Sequence, residues 1–312
     1  MPDKNFTTYE QQIQLLIDRG INIASDDDKL FAKEVLKKVG YYSLINGYKD
    51  PFLDNKDEQN NEHYKIGTTL QEIHALYEFD RVLRETFLTF ILKIETKVKS
   101  IISYYFSEEY GKDNYLIYTN FNTELYLANE KIPDLIAEIN RQIASRAKDP
   151  CISHYLSNYG YIPLWVLNNI LTFGTISKFY SLLKQKDQTK ISREFKIQPH
   201  DLENFLKYLS PIRNFCAHGN RLFCYNAKKQ TLNNTSFHQV LQIPAEHGNY
   251  VKGKNDLFAA VISLRILLSN NDYSRFKNKL KKSIYRVLKQ LKTINRSELL
   301  DIMGFPDNWT NL

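Results

Sequence analysis

The chain is poor in the residues that break helices. Only 11 glycines and 9 prolines occur among its 312 residues, whereas an all-β fold with many tight turns uses more of both. Hydrophobic residues make up 43% of the chain, which is enough for a sizeable core and excludes wholesale disorder. We therefore expect an all-α protein built from long helices, as one large domain or two of ordinary size.

Cysteines and long apolar runs are also scarce. Cys151, Cys216 and Cys224 show no CxxC spacing, so we expect a reducing compartment and no metal site. The longest nearly apolar run, 258–268, contains Arg265 and falls far short of the roughly 20 residues of a membrane span. The segment 1–4 lacks the apolar core of a signal peptide. We expect a cytoplasmic protein without a cofactor and without membrane association.

Capping signals predict where helices begin and end. Thr7 with Glu10 indicates one helix start, and Ser25, which precedes three aspartates, indicates another; Gly20 and Gly40 would end these two helices. Further predicted elements are helices over 70–106 (opened by a Thr69–Glu72 capping box), 122–147, 163–171, 175–185, 199–209, 255–269 and 273–293, a polar surface loop over 54–66, and a long loop or small hairpin over 226–254.

The longest predicted helix, 70–106, places polar residues on its apolar arc. These residues are Asp80, Arg84 and Glu95, and the last two point within roughly 20° of each other. Charged groups on a core-facing stripe need partners. Arg84 and Glu95 could form a buried ion pair or a bridge between helices, or one or both could lie beside an active site.

The stretch 210–222 carries the clearest chemical signal. Its serine and proline place a helix start at Ser210, with Pro211 as the first helical residue. On that helix Arg213, Asn214, His218 and Arg221 share one side, with only Ala217 between them, and the other side is apolar.

The polar side of this helix permits two interpretations. It could be an ordinary solvated face, although it lacks the usual Glu and Lys. Alternatively, the imidazole of His218 could exchange a proton near neutral pH, while the guanidinium of Arg213 binds a phosphate and stabilises transition-state charge. The second interpretation is phosphodiester chemistry.

The segment 213–218 resembles the R-N-x-x-x-H form of the R-x4-6-H motif of HEPN ribonucleases. Other segments resemble the bacterial Abi-like (abortive infection, AbiD/AbiF) family, and the resemblance spans roughly residues 10–270. Its segments are Tyr41-Tyr42-Ser43-Leu44, Gly47-Tyr48, Pro51-Phe52, 76–84, Ile94-Glu95, Pro163-Leu164-Trp165, 173–180, Arg221-Leu222-Phe223 and Leu257-Phe258-Ala259-Ala260.

This resemblance implies a HEPN-like helical bundle with additional N- and C-terminal helices. It implies a homodimer in which two motifs meet, and metal-independent RNA cleavage in phage defence or as the toxin of a toxin–antitoxin pair. Arg213 and His218 would be the catalytic pair, and Asn214 would support it. Glu95, Arg84, Asp80 and Arg221 could lie behind them. A small structured RNA is a possible partner, since some family members are associated with one.

The chemistry that the resemblance implies is transesterification by the ribose 2′-OH. His218 would act as general base or acid, a second copy's His218 could take the other role, and Arg213 would stabilise the phosphorane. Two other functions stay open. The chain could be a non-catalytic RNA- or nucleotide-binding HEPN module, or a structural partner of another toxin component.

The segment 275–296 is strongly basic. It holds nine Lys and Arg residues and no Asp or Glu, while an apolar stripe lets it pack on the body of the protein. The charge could be a solvated face, an RNA-backbone surface or a membrane-surface contact. We favour RNA. The residues expected to bind it are Lys281, Lys282, Arg286, Lys289 and Lys292.

Other aromatic residues are interpreted as structural. Tyr41, Tyr42 and Tyr48 would be core or turn residues rather than base-stacking platforms, and Trp165 would be a core anchor. The predicted division of the chain is an N-terminal helical segment (1–68), a HEPN-like core (69–270) and a basic C-terminal segment (271–312).

Overall fold

The computed structural model describes residues 5–54 and 62–312. The chain is mostly helical, which confirms the all-α prediction. The helices are α1 (Tyr9–Asp18), α2 (Asp26–Val39), α3 (Leu70–Tyr110), α4 (Ala128–Ser145), α5 (Pro150–Tyr159), α6 (Leu164–Leu167), α7 (Phe173–Leu182), α8 (Gln185–Arg193), α9 (Pro199–Ala217), α10 (Ser236–Val240), α11 (Leu257–Leu267), α12 (Asn270–Leu288) and α13 (Arg296–Ile302), and two short strands are β1 (Ala245–Glu246) and β2 (Asn249–Tyr250). Single turns of other helix types lie at Tyr42–Asn46, Asp50–Phe52, Asn114–Leu116, Tyr118–Asn120 and Trp309–Asn311.

Helix α3 is the central helix of the fold. It begins at the predicted Thr69–Glu72 capping box and runs to Tyr110, four residues beyond the predicted end. Helices α9 and α12 pack along it, and α6, α7 and α8 also contact it. Phe276 of α12 meets two aromatic rings of α3 edge-on, with centroid distances of 5.1 and 5.5 Å. The residues around α3 therefore determine where both the motif helix and the basic helix lie.

The cap of the first helix differs from the prediction. Thr8 rather than Thr7 caps α1, and Gln11 rather than Glu10 completes the capping box. Because Thr7 and Thr8 are consecutive, either could cap the helix, and the capping box accepts Gln as well as Glu at the third helical position. The predicted caps of α2 are confirmed.

Helix α9 is continuous across the predicted helix start at Ser210. Pro211 lies inside it, and Ser210 is buried rather than a cap. Pro211 cannot donate to the carbonyl of Lys207, but Lys207 is exposed, so water can reach that carbonyl. Burial of the apolar stripe from Leu202 to Ile212 against α3 and α7 outweighs the missing hydrogen bond.

Close packing explains how α7 holds α9. Helix α7 begins at Phe173, so Gly174 lies in its first turn and does not separate two helices as predicted. A Cβ at Gly174 would lie 3.3 Å from the Ser210 hydroxyl. The small residue therefore allows α7 to approach α9 just before the motif.

Several short helices were missed or misplaced. Helix α4 begins at Ala128, six residues after the predicted start, and α6 has only four residues, with Pro163 as its N-cap instead of a first-turn residue. Helices α5, α8 and α13 were not predicted. Asp149 and Asn295 cap α5 and α13 through their side chains, so the capping signal was present for both.

The region 226–254 contains the predicted hairpin and the short helix α10. Strands β1 and β2 pair antiparallel. His238 is fully buried, accepts from the Thr235 amide at Nδ1 (3.1 Å) and lies 3.0 Å from the Gly253 carbonyl through Nε2. Burial lowers the pKa of His238, which keeps the ring neutral and suits this donor–acceptor arrangement.

The structure does not fully test two predictions about how the chain is organised. Within the predicted 54–66 loop, residues 55–61 lie outside the described part of the chain. The hydrophobic core takes residues from all three predicted segments, and the division at 68 and 270 stays a prediction. Among the residues that the structure describes, no helix combines the length and the apolarity that crossing a bilayer requires.

Replacing Pro211 tests the continuity of α9. In Pro211→Ala the new amide can donate to the Lys207 carbonyl, so we expect the free energy of unfolding to rise by about 1 kcal/mol or more in urea denaturation. The control is Pro199→Ala at the first position of the same helix, where proline is favourable and no gain is expected. A loss of stability in Pro211→Ala would indicate a helix start at that position.

Candidate active site

The motif lies at the C-terminal end of α9. Arg213 and Asn214 are in the last turns, Ala217 is the last helical residue and His218 is the C-cap, whose amide donates to the Asn214 carbonyl at 3.0 Å. Gly219 has a φ of 73°, a left-handed conformation that favours glycine, and the chain turns there. The helix therefore stops at the histidine.

Because α9 ends at this point, the predicted place of Arg221 on its polar face is wrong. Arg221 lies beyond α9, so it does not share the polar helix face with Arg213 and His218. The guanidinium of Arg221 donates instead to the Gly47 carbonyl at 2.8 Å and lies 4.0 Å from the Asp50 carboxylate. Arg221 therefore fastens the segment after the motif to the N-terminal region.

Arg213 is held by a buried carboxylate on α3. Its Nε donates to Oε2 of Glu95 at 3.2 Å, and the other Glu95 oxygen lies 2.7 Å from Lys99 Nζ. Lys99 also donates to the Leu171 carbonyl at 2.7 Å. The Glu95 side chain is 6% exposed, whereas that of Arg213 is 30% exposed. Because the bond uses Nε, the outer Nη nitrogens of Arg213 can still donate to an anion.

His218 and Asn214 are exposed. Among the described residues, the side chains of both form no hydrogen bond. On the opposite side of the helix end, Ile212 and Cys216 are buried. This confirms that one side is apolar and the other carries the Arg, Asn and His. Burial raises the pKa of the Cys216 thiol to about 12, so this cysteine stays protonated at neutral pH and is no nucleophile.

Asp80 fixes the chain directly after the motif. Its fully buried carboxylate accepts from the amides of Leu222 (3.0 Å) and Phe223 (2.7 Å), from the Tyr48 hydroxyl (2.8 Å) and from the guanidinium of Arg84. Burial raises the pKa of the Asp80 carboxyl, and these four donors oppose that effect. The segment that follows His218 is thus attached to α3 by charge-assisted hydrogen bonds.

Arg84 and Glu95 do not pair with each other. Arg84 binds Asp80, lies 3.3 Å from the Tyr48 hydroxyl and 3.5 Å from the Asn220 carbonyl. Burial, with the neighbouring Asp80 charge, raises the pKa of Tyr48, which keeps its hydroxyl protonated as a donor. The predicted buried ion pair or bridge between helices is confirmed, since Arg84 pairs with Asp80 and Glu95 bridges α3 to Arg213 on α9. The position of either residue beside an active site stays a prediction.

The sequence did not reveal Lys99 or the hydrogen bond from Tyr48 to Asp80, and one aromatic residue was predicted in the wrong place. Lys99 follows Glu95 by four residues, a spacing that favours an ion pair on a helix and could have revealed it. Tyr48 is buried, and Tyr42, which is 76% exposed, lies in the single turn Tyr42–Asn46, so both fit the predicted core or turn roles. The prediction that Trp165 is a core anchor is wrong, because this residue is 51% exposed on the four-residue helix α6.

The basic segment folds as α12, with the predicted apolar stripe buried. Lys281, Lys282, Arg286, Lys289 and Lys292 are exposed. Helix α12 packs on α3 through Phe87 and Phe90. The α3 residues that face its exposed cations, such as Glu78, Val82 and Glu85, point roughly opposite to Asp80 and Glu95. The structure therefore does not bring the basic helix and the motif together on one face. The role of these five basic residues in RNA binding stays a prediction.

Within residues 5–54 and 62–312, no cluster of three or more His, Cys, Asp or Glu side chains has the arrangement of a metal site.

A family model described as Abi-like protein matches residues 34–224, which is more than half of the chain. No curated protein and no solved structure matches the chain. The matched range includes Asp80, Glu95, Arg213 and His218, and extends through the segment that Asp80 holds.

Asp80→Ala tests the attachment of the motif. It leaves the buried Arg84 without its carboxylate and two amides without an acceptor, so we expect a loss of about 3–5 kcal/mol in the free energy of unfolding. The measurement is urea denaturation followed by circular dichroism. The control is Arg81→Ala, an exposed neighbour that pairs with Glu78 and Glu85, for which we expect less than about 1 kcal/mol. Equal small losses would contradict the account.

Proposed function

The chain belongs to the Abi-like protein family, and we propose that it is a phage-defence endoribonuclease that cleaves RNA without a metal ion. The observation that carries the proposal is that exposed His218 ends the helix that carries Arg213, whose guanidinium is anchored by the buried Glu95 carboxylate. An acid–base group and a phosphate-binding cation lie one after the other at a fixed helix end. This combination is suited to phosphodiester chemistry.

The proposed reaction is transesterification within the RNA strand. The ribose 2′-oxygen forms a bond to the adjacent phosphorus, and the bond from phosphorus to the 5′-oxygen of the next nucleotide breaks. The products are a 2′,3′-cyclic phosphate and a 5′-OH end. One His218 accepts the proton of the 2′-OH, and a second His218 from a partner copy donates a proton to the leaving oxygen.

Arg213 would stabilise the charge that develops on the phosphorane. Its bond to Glu95 supports this role, because a guanidinium fixed in advance does not need to reorganise when the charge develops. Lys99 shares the Glu95 carboxylate, so Glu95 is not left with an uncompensated charge when Arg213 engages the phosphate. Asn214 is exposed beside the pair and is proposed to support it.

The biological setting follows from the family. Abortive infection requires an activity that harms the infected cell, and RNA cleavage is such an activity. A toxin–antitoxin pair, with a small structured RNA as the neutralising partner, is the form that we propose for its control in the cytoplasm. A non-catalytic RNA- or nucleotide-binding module is the alternative, and the activity of the variants below separates the two.

Substitution of the pair tests catalysis. We expect Arg213→Ala and His218→Ala each to reduce cleavage of total RNA by about 100-fold or more, since general acid–base catalysis contributes factors of this size. Both side chains are at least partly exposed, so the helical circular dichroism signal should persist. Controls are Arg193→Ala and His200→Ala, which alter the same residue types on exposed positions of α8 and α9. Unchanged cleavage in both motif variants would support the binding module.

A second copy of the chain would complete the site. We propose that the motif-bearing end of α9 meets its symmetry mate at a twofold axis, which brings the same patch from both copies together. This arrangement supplies the second His218 that the reaction uses. It also covers a polar surface that lacks the usual solvating Glu and Lys.

Ala217→Glu tests this dimer. Ala217 is exposed between the catalytic residues, and two introduced carboxylates would repel each other across the twofold axis. We expect the mass from light scattering to fall from dimer to monomer, together with loss of cleavage. Ala147→Glu, at an exposed turn after α4, is the control and should stay dimeric. A monomeric wild-type protein with full activity at micromolar concentration would sink the proposal.

A further inference from the structure

An open groove runs between α3 and α12, away from the motif. Its volume is about 470 Å³. Apolar side chains from both helices form its floor, and small polar groups lie along it. The apolar residues are Ala75, Phe79, Val82 and Val287, and the polar ones are Thr86, Thr89, Ser283 and Gln290.

The two walls of the groove carry opposite charges. Glu78 and Glu85 line the α3 wall, and both bind Arg81, at 2.9 and 2.5 Å. Lys282 and Arg286 line the α12 wall, and neither forms an ion pair with any residue that the structure describes. The α12 cations are therefore not engaged by the carboxylates of the α3 wall and are available to a ligand.

These cations belong to a longer row, which we name the cationic strip. Its members follow each other at steps of four or three residues, fall within about 80° around the helix and extend over about 21 Å. They are Arg275, Lys279, Lys282, Arg286 and Lys289. In the described chain none of the five is ion-paired to a carboxylate. A mononucleotide would engage one or two of them, whereas the successive phosphates of a strand would engage the whole row.

We propose that the α3–α12 groove binds single-stranded RNA, with the phosphates along the cationic strip. The inference rests on the proposed function, because it takes RNA as the molecule on which the protein acts. The apolar floor offers contact to an unstacked base. Glu78 and Glu85 repel phosphates from the α3 wall and accept hydrogen bonds from 2′-hydroxyl and amino groups. The charges of the two walls thus orient the strand, with its phosphates toward α12 and its 2′-hydroxyl and amino groups toward α3.

The position of the groove determines what the bound strand does. The α3 residues that line the groove point roughly opposite to Glu95, which contacts the motif, and to Asp80, which contacts the segment after it. RNA in the groove is therefore not at the scissile position of the same copy. The groove anchors a second part of the RNA while the motif acts elsewhere.

The geometry also divides the cations predicted to bind RNA. Lys282, Arg286 and Lys289 belong to the strip. Lys281 points about 100° or more away from the middle of the strip. Lys292 lies after the helix, where its amide donates to Glu72. Only the strip residues are expected to contact RNA in the groove.

Binding without cleavage provides the test. The full-length protein carrying His218→Ala is titrated onto a fluorescein-labelled 12-nucleotide oligo(U), and anisotropy gives the dissociation constant. We expect Lys282→Glu/Arg286→Glu to weaken binding by about tenfold or more and to flatten its salt dependence, because two phosphate contacts are lost. The matched control, Lys281→Glu/Lys292→Glu, has the same charge change on exposed positions off the strip and should stay within about twofold.

A charge-neutral variant locates the strand in the groove itself. Val82 belongs to the apolar floor of the groove and is 36% exposed, so Val82→Trp should fill the groove while the fold persists, as checked by circular dichroism. We expect weaker RNA binding with an unchanged salt slope. Normal binding in Val82→Trp would show that RNA follows the outer surface of α12 and would overturn the groove proposal.

Other outcomes also overturn it. Equal weakening by the two double variants would indicate general attraction to a basic surface. Competition by uridine monophosphate at the concentration of the oligomer would identify a nucleotide site. Binding of phosphatidylserine vesicles but not RNA would identify a membrane surface. Because cleavage is absent from the measurement, a failure here leaves the Arg213–His218 proposal intact, and loss of that proposal leaves the binding result intact.

Discussion

The buried carboxylate of Asp80 is the interaction on which the rest of the structure depends. Removing such a charge from water costs several kcal/mol unless partners compensate it. Its partners come from three separate parts of the chain: Tyr48, Arg84, and the amides of Leu222 and Phe223. They converge only when the N-terminal region, α3 and the segment after the motif are assembled. The same requirement fixes the chain that follows His218.

Two carboxylates on α3 hold the motif at both ends. Glu95 binds Arg213 before the helix end, and Asp80 binds Leu222 and Phe223 after it. These carboxylates are 15 residues apart, or about 22 Å along the helix, and the chain from 213 to 222 spans that interval. His218 lies between the two attachments and stays exposed. The opposite side of α3 is left for the groove, so one helix separates the proposed chemistry from the proposed RNA anchor.

The sequence allowed the helical class, the long central helix and the apolar and polar sides of the motif to be predicted, because caps and periodicity are local signals. The sequence wrongly predicted a helix start at Ser210-Pro211. Burial of the continuous apolar stripe of α9 outweighs that strong local signal for a helix start. The sequence could not reveal that Asp80 binds backbone amides, since a peptide N–H leaves no pattern among side chains. Arg84 and Glu95 point in nearly the same direction from α3, and the sequence could not show that they bind different partners. Those partners depend on which other segments pack beside α3 at the height of each residue.

The most direct measurement concerns the 2′-oxygen. A cleavage site is first mapped in a short RNA in the presence of EDTA, and the ribose on the 5′ side of that bond is then replaced by 2′-deoxyribose. The account predicts a 2′,3′-cyclic phosphate and a 5′-OH end for the unmodified RNA, and no cleavage at the substituted bond. Cleavage that persists at the deoxy position, or that leaves a 3′-OH and a 5′-phosphate, would contradict transesterification by Arg213 and His218.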